Sequence, residues 1–209
     1  MKVVQAFVGA RLIDSEPYSH MGDIKHAQAL KDAGIDGVIS YLGPTTKQMV
    51  ENVISVGLGW MPCTYADKFD GNVAIIELAK LGIPIGCTCW LDIEGPSIIE
   101  PNMNFAVLLK YADTWSNQLI GANYTTGGYF GSPQPLTSKE MFYDISFTHY
   151  WKGQSRVEDR FNNLAEPDCG WCMTQMWDSV DWMNTGVWSD INIIGRDFHK
   201  RLPNWVVKD

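Results

Sequence analysis

The residues best suited to chemistry in this sequence are Asp92 and Glu94, in the segment CWLDIEG at 89–95. Side chains two apart on a strand project from the same side, and their Cα atoms lie about 6.6 Å apart. Carboxylates this close repel each other when both are ionised, so one of them keeps its proton to a higher pH. A proton donor beside a charged partner is what glycoside hydrolysis requires. The pair therefore predicts a glycosidase.

Strict alternation divides the same segment into two faces. Cys89, Leu91 and Ile93 form an apolar face, whereas Trp90 shares the other face with the two acids. If the apolar face packs under helices, the acids point to the opposite side of the sheet. The segment is therefore predicted to be a strand that carries its carboxylates at its C-terminal end.

The elements that must position this strand alternate between short strands and helices. Eight segments have the pattern of strands: 6–14, 36–43, 58–67, 83–94, 120–130, 144–151, 170–177 and 186–194. Helical spacing is clearest at 22–34, 45–57, 70–82 and 101–119, and a weaker helical pattern covers 155–166. Such alternation is typical of a parallel sheet with right-handed crossovers.

Eight strands in this arrangement predict an α/β fold, a compact (β/α)8 TIM-like barrel. With only 209 residues, some helices of the second half must be short or missing. An open doubly wound sheet is the alternative, but no G-x-G-x-x-G follows the first strand. No linker or charge block divides the chain, so residues 1–209 are expected to form a single barrel domain.

Barrels of this class carry their active sites at the C-terminal ends of the strands. Acids, amides and aromatic residues recur there in strand after strand: Asp14, Tyr41, Tyr65, Asp92 with Glu94, Tyr124, Trp151, Gln175 with Trp177, and Asp190 with Asn192. Strand ends attract polar residues in any protein, but their recurrence around the predicted barrel favours a common site.

The motifs at these positions resemble those of family 25 glycoside hydrolases, the Chalaropsis-type lysozymes that cleave peptidoglycan. The similar segments are LDIEG at 91–95, Asp14, NYT at 123–125, YW at 150–151, TQMW at 174–177 and SDINI at 189–193. Related glycoside-hydrolase-like domains of unknown function match more fully, through GARLID at 9–14 and DAGIDGVISYLG at 32–43. The chain is nearer to these relatives, because it lacks the segment that supplies a tryptophan after the first-strand aspartate in the lysozymes.

The resemblance implies a role for each residue of the site. Glu94 corresponds to the general acid, and Asp92 to the group that orients the acetamido substituent and stabilises positive charge at the anomeric carbon. Asp14 and Asp190 correspond to floor residues that tune these carboxyls. The remaining residues bind sugar: Tyr41, Tyr65, Tyr124, Trp151 and Trp177 through their rings, and Gln175 and Asn192 through hydrogen bonds.

Composition limits the partners. A net charge of -8 argues against nucleic acid or an anionic membrane, while nine Trp and eight Tyr suit stacking on sugar rings. No apolar run is long enough to span a bilayer, and the first residues lack the layout of a signal peptide. We expect a monomer without cofactor or metal that acts on peptidoglycan. It would be made in the cytoplasm and reach the wall as a phage endolysin or virion-associated lysin.

Two other functions remain open at this point. A barrel that binds cell-wall carbohydrate with little or no turnover would keep the aromatic residues without needing a proton donor. A metal-dependent hydrolase would use Asp14, Asp92, His149 and Asp190, although only four histidines and no H-E-x-x-H are present. Cys169 and Cys172 form a C-x-x-C typical of redox or zinc sites, but buried reduced thiols are the favoured interpretation for all five cysteines.

Overall fold

The fold is a barrel that carries an additional pair of strands. The computed structural model describes residues 1–15, 20, 22–66, 70–93, 105–131, 136–153 and 167–209, with the backbone alone for residues 15 and 177–179. Its strands are β1 (Lys2–Gln5), β2 (Arg11–Ser15), β3 (Gly37–Tyr41), β4 (Gly59–Tyr65), β5 (Thr88–Asp92), β6 (Thr125–Phe130), β7 (His149–Lys152), β8 (Met173–Asp181), β9 (Trp188–Ile194) and β10 (Asn204–Val207). Its helices are α1 (Ile24–Asp32), α2 (Lys47–Ser55), α3 (Gly71–Leu81), α4 (Phe105–Gly121) and α5 (Ser138–Tyr143).

Strands β2 to β9 close on themselves, which confirms the predicted eight-stranded barrel. Neighbours in the ring follow chain order, and β9 returns to pair with β2. The strands from β2 to β8 are parallel, and α1 to α4 cross between them at the start of the ring. The short α5 agrees with the expectation that helices of the second half are reduced. The predicted helix at 155–166 lies outside the described residues.

The last barrel strand runs against the others, so the prediction of an entirely parallel sheet is wrong for β9. It pairs antiparallel with both β8 and β2. Only residues 182–187 connect β8 to β9, whereas a parallel crossover needs about a dozen residues or more. The short connection therefore forces a hairpin, and the N-terminal half of β9 lies at the end of the barrel where the other strands finish.

The opposite end of the barrel is closed by a strand pair that the sequence analysis did not assign. Strand β10 pairs antiparallel with β1 and reaches β4 through Val206 and Trp60. The buried Trp205 indole lies against the first residues of β3 and β4, where a Cβ on Gly59 would come within 2.3 Å of the ring. Gly37 and Gly59 therefore make room for the indole that closes this end.

Side chains separate into an inner and an outer core, as alternation requires. In β5, Cys89 and Leu91, followed by Ile93, pack in the outer core under the helices, whereas Trp90 belongs to the inner cluster. The predicted division of β5 into an outer apolar face and an inner face is confirmed over residues 89–93.

The helices that cover the outer core begin and end at the residues expected for such positions. Asp70 caps α3 by accepting from Val73 N at 2.9 Å, and Gly82 ends it with φ of 75°. Within the described ranges, no helix combines the length and apolar character needed to cross a bilayer.

Candidate active site

The candidate site lies at the end of the barrel where β2 to β7 finish. Asp14, Tyr41, Tyr65 and Asp92 reach it at or near the C-terminal ends of their strands. Asp190 reaches it from the opposite direction, near the start of the antiparallel β9. The structure therefore brings three of the four predicted acids to one mouth.

Asp92 is buried, with 1% of its surface exposed, and its carboxylate is oriented by a tyrosine. Tyr41 Oη donates to Asp92 Oδ2 at 2.9 Å. The Tyr41 ring stacks on Tyr65, with ring centroids 4.2 Å apart and planes 13° from parallel. Burial, together with the negative charge of Asp92, raises the pKa of Tyr41 well above its ordinary value. The hydroxyl consequently stays protonated, and so remains a hydrogen-bond donor, across the neutral pH range.

Asp14 and Asp190 face each other across the seam between β2 and β9, where they are direct register partners. Such partners in an antiparallel ladder have Cβ atoms about 4.5–5.5 Å apart. Like charges in this relation destabilise a sheet, and Asp14 is only 7% exposed. Two acids placed here at a cost in stability are typical of a site selected for chemistry.

A chain of hydrogen bonds fixes the orientation of Asp190. Tyr129 Oη donates to Gln175 Oε1, and Gln175 Nε2 donates to Asp190 Oδ2, each at 2.5 Å. Because the Asp190 carboxylate accepts, the amide nitrogen of Gln175 faces it, and the amide oxygen is left to accept from the Tyr129 hydroxyl. Gln175 is buried and therefore acts on Asp190, not as an open contact for sugar as the resemblance implied.

Strand β8 bends beside this chain of hydrogen bonds. Its register against β9 shifts twice, between Gln175 and Trp177 and again between Trp177 and Val180. Each shift places one additional residue on β8 while β9 stays regular. Bulges of this kind are common at barrel rims next to active sites, where they redirect side chains.

Aromatic rings form the floor beneath the carboxylates. Trp151 Nε1 donates to Asn192 Oδ1 at 2.9 Å, and its ring packs against Trp90 and Tyr129 at 5.6 Å and 4.3 Å between centroids. Trp151 is 1% exposed and Asn192 is fully buried. Both residues support the floor, so the expectation that they contact sugar directly is wrong for this arrangement.

The overall architecture is similar to that of a solved protein whose sequence is far from this one. No protein-family model and no curated protein matches the chain in sequence. A bacterial lysozyme from Streptomyces coelicolor aligns with a TM-score of 0.56, over 91% of this chain and 94% of its own, at 12% identity. The fold is similar to that of a bacterial lysozyme. A xylose isomerase-like TIM barrel/4-hydroxyphenylpyruvate dioxygenase fusion protein aligns with a TM-score of 0.46, over 70% of this chain and 26% of its own, at 10% identity.

One residue that was predicted to bind sugar, Tyr124, lies away from the mouth of the barrel. Tyr124 precedes β6, packs in the outer core and donates from its hydroxyl to the Ile83 carbonyl at 3.1 Å. The prediction was wrong because it took its residue from the start of the strand instead of its end. Tyr129, near the C-terminal end of β6, is the inward-facing tyrosine that was missed.

Two predicted residues cannot be placed in the site. Glu94, the expected proton donor, lies outside the described residues, although it follows β5 by two positions. Trp177 lies on β8, of which only the backbone is described at that residue. Their roles stay predictions.

Cys63 is a site neighbour that the sequence analysis did not single out. Burial, reinforced by the charges of Asp92 and Asp14, raises the pKa of its thiol well above the ordinary value. The thiol is consequently protonated beside the carboxylates. All five cysteines are free, and four of them are buried.

The residues of the alternative metal site are not brought together. His149 begins β7, two residues below Trp151 and thus beneath the aromatic floor, whereas the three acids lie at the mouth. In the parts of the chain that the structure covers, no group of three or more His, Cys, Asp or Glu side chains could hold a metal ion. Cys169 and Cys172 belong to no such group.

His149 predicts a specific loss of stability in acid. Burial, assisted by the positive charge of Arg201 and opposed by Asp197, lowers its pKa to about 4. The unfolded chain, with a histidine pKa of about 6.5, takes up the proton first. Stability is therefore complete above about pH 6.5 and falls by roughly 3 kcal/mol as the pH drops to about 4.

Thermal unfolding of His149→Gln and wild type between pH 7 and 4.5 measures this contribution. We expect the melting temperature of the variant to fall less steeply with decreasing pH, whatever its absolute value. His199→Gln, at an exposed position, is the matched control and should retain the wild-type slope. Equal slopes for His149→Gln and wild type would contradict the assignment.

Proposed function

We propose that the protein is a glycoside hydrolase that degrades peptidoglycan in the manner of an N-acetylmuramidase. The observation that carries the proposal is the group of carboxylates at the barrel mouth, with Asp92 held by Tyr41 and Asp14 opposite Asp190. The lysozyme-like barrel, aligned over nearly the whole of both chains, supports it.

In the proposed reaction, Glu94 protonates the glycosidic oxygen as the bond to the anomeric carbon breaks. A water molecule adds to that carbon and gives up a proton, which completes the hydrolysis. Asp92 lies two residues earlier and stabilises the positive charge that develops on the sugar, either directly or through the acetamido group. A carboxylate held in position before the reaction stabilises that charge better than one that must reorient. The Tyr41 hydroxyl supplies this orientation.

Asp14 and Asp190 complete the electrostatic environment of the reaction. Their opposed carboxylates share negative charge next to the region where positive charge develops, so the pair favours the transition state over the neutral substrate. The half-buried faces of Tyr41 and Tyr65 provide an aromatic edge to the mouth, which suits a sugar ring. The protein would act as a monomer on the bacterial cell wall, as a phage endolysin or a virion-associated lysin.

Incubation with purified bacterial walls tests the proposal. We expect the wild type to clear the suspension and release reducing sugar, with the same rate in EDTA, and Glu94→Gln to lose at least about 100-fold in rate. Loss of activity on chelation would instead indicate a metal-dependent hydrolase. Sedimentation of the protein with the walls, without any release of sugar, would indicate a binding module.

A further inference from the structure

The ends of β8 and β9 continue past the barrel as a two-stranded arm. Among the residues that the structure describes, strand β9 pairs with β2 as far as Asp190, whereas its pairing with β8 extends to Asp181 opposite Trp188. We define the arm as residues 180–189. Its base adjoins the mouth, because Asp190 is the next residue of β9 after the arm.

Trp188 is exposed on the face of the arm that leads into the site. Along the regular β9, residues 188, 190, 192 and 194 share one side, and the last three line the mouth, the floor and the inner core. Exposure decreases along this face from 65% at Trp188 to a half-buried Asp190 and a fully buried Asn192. Such a high exposed fraction is unusual for a tryptophan, since tryptophans are highly buried on average.

Contacts of the turn at 182–187 hold the arm in place. Trp182 Nε1 donates to the Ala33 carbonyl at 3.2 Å, at the end of α1. The Asp181 carboxylate accepts from Gly186 N at 2.9 Å and from Thr185 Oγ1 at 3.3 Å, which closes the turn. Trp182 thus anchors the arm to the outer core. Because the arm is already held in place, binding at Trp188 would not carry the entropic cost of ordering it.

The negatively charged residues around Trp188 favour binding of an uncharged molecule. Asp181 lies directly opposite it across the strands, and Asp190 follows on the same face. Carboxylates at both sides, in a chain of net charge -8, disfavour a nucleic acid, an anionic lipid surface or a second copy of this chain. An uncharged pyranose ring can lie on the indole face with its hydroxyls towards these acceptors.

We propose that Trp188 is a stacking platform for a sugar ring, which extends the glycan-binding surface from the mouth onto the arm. The inference rests on the proposed function for its substrate class and deepens it. A glycan chain lying across the site occupies the mouth with one part and the arm with another. Only chains long enough to reach the arm gain from Trp188.

Binding of soluble β-1,4-linked N-acetylglucosamine oligomers to the intact chain tests the platform. Isothermal titration would compare a disaccharide with a hexasaccharide, in a Glu94→Gln background so that no turnover occurs. We expect Trp188→Ala to weaken hexasaccharide binding about tenfold and leave the disaccharide unchanged, and Trp188→Tyr to restore most of the loss. Met183→Ala, at a 70% exposed residue of the same arm, is the matched control and should have no effect.

The outcomes separate this inference from the proposed function. If walls are not hydrolysed but hexasaccharide binding depends on Trp188, the platform stands and the hydrolase does not. If walls are hydrolysed but Trp188→Ala binds both oligomers like its parent, the platform is wrong. Absence of hexasaccharide binding by the parent, or a change of oligomeric state in Trp188→Ala, would also overturn it, the latter because it would indicate a protein contact.

Discussion

Replacing Asp92 by asparagine is expected to lower kcat/KM for peptidoglycan by roughly 10²- to 10³-fold, the range for loss of a preorganised electrostatic group. The asparagine oxygen can still accept from the Tyr41 hydroxyl, so the local structure should persist while the negative charge is lost. Initial rates of reducing-sugar release would measure the effect. Tyr41→Phe, which keeps the charge and removes only its orientation, should cost about tenfold.

The control for Asp92→Asn is Asp144→Asn, which removes a carboxylate from an exposed position at the end of α5. It should retain the wild-type rate, because Asp144 lies on a helix outside the barrel. Thermal unfolding of all variants would separate loss of chemistry from loss of fold. An Asp92→Asn protein that hydrolyses walls within about threefold of wild type would show that this carboxylate does not stabilise the transition state.

Replacing Gly127 by alanine is expected to destabilise the protein by about 1–3 kcal/mol and to lower its melting temperature by roughly 3–10 °C. A Cβ at this position would lie 2.3 Å from Cζ3 of Trp90. That indole is fully buried, with Trp151 packed against it at 5.6 Å between centroids. Because the indole can move only by displacing its neighbours, we expect the strain to reach the floor of the site.

Gly121→Ala is the matched control, because a Cβ there meets nothing within 4 Å. This residue ends α4, where alanine is at least as favourable as glycine, so we expect no loss of stability. Denaturant unfolding followed by tryptophan fluorescence would compare the two variants. Equal stability of Gly127→Ala and Gly121→Ala would mean that the Trp90 contact is not tight in solution.

The parts of the fold that depend on local pattern were predictable from the sequence. Alternation in CWLDIEG correctly divided Trp90 from Cys89 and Leu91, because one face of the strand packs under helices. The recurrence of strands and helices correctly indicated a closed barrel, since short crossovers leave few arrangements of a parallel sheet. The same two observations predicted that Asp14 and Asp92 lie at or near the C-terminal ends of their strands, and this is where the structure has them.

The parts that depend on pairing between distant segments were not predictable in this way. The direct opposition of Asp14 and Asp190 follows from an antiparallel β9. The sequence signal for it is the short connection, residues 178–185, between the last two predicted strands. The closure of the barrel by Trp205 required pairing of β10 with β1, across almost the whole chain. Register between such segments is decided by packing and not by either segment alone.

The choice of Tyr124 instead of Tyr129 shows how strand boundaries limit the prediction of a site. The predicted strand at 120–130 included both residues, but the actual strand starts at Thr125. A shift of this size moves a residue from the mouth of a barrel to its base. Gln175 illustrates a different limit, because its amide is occupied by Tyr129 and Asp190, a fact that appears only in three dimensions.

The proposed function requires that the carboxylates at the mouth cleave a glycosidic bond of peptidoglycan. The most direct test is chemical identification of new sugar ends after insoluble peptidoglycan is digested and reduced with borohydride. We expect N-acetylmuramitol in the wild-type digest and its loss in the digests by Glu94→Gln and Asp92→Asn. A wild-type digest with no new reduced sugar, while the folded protein binds the walls, would contradict it.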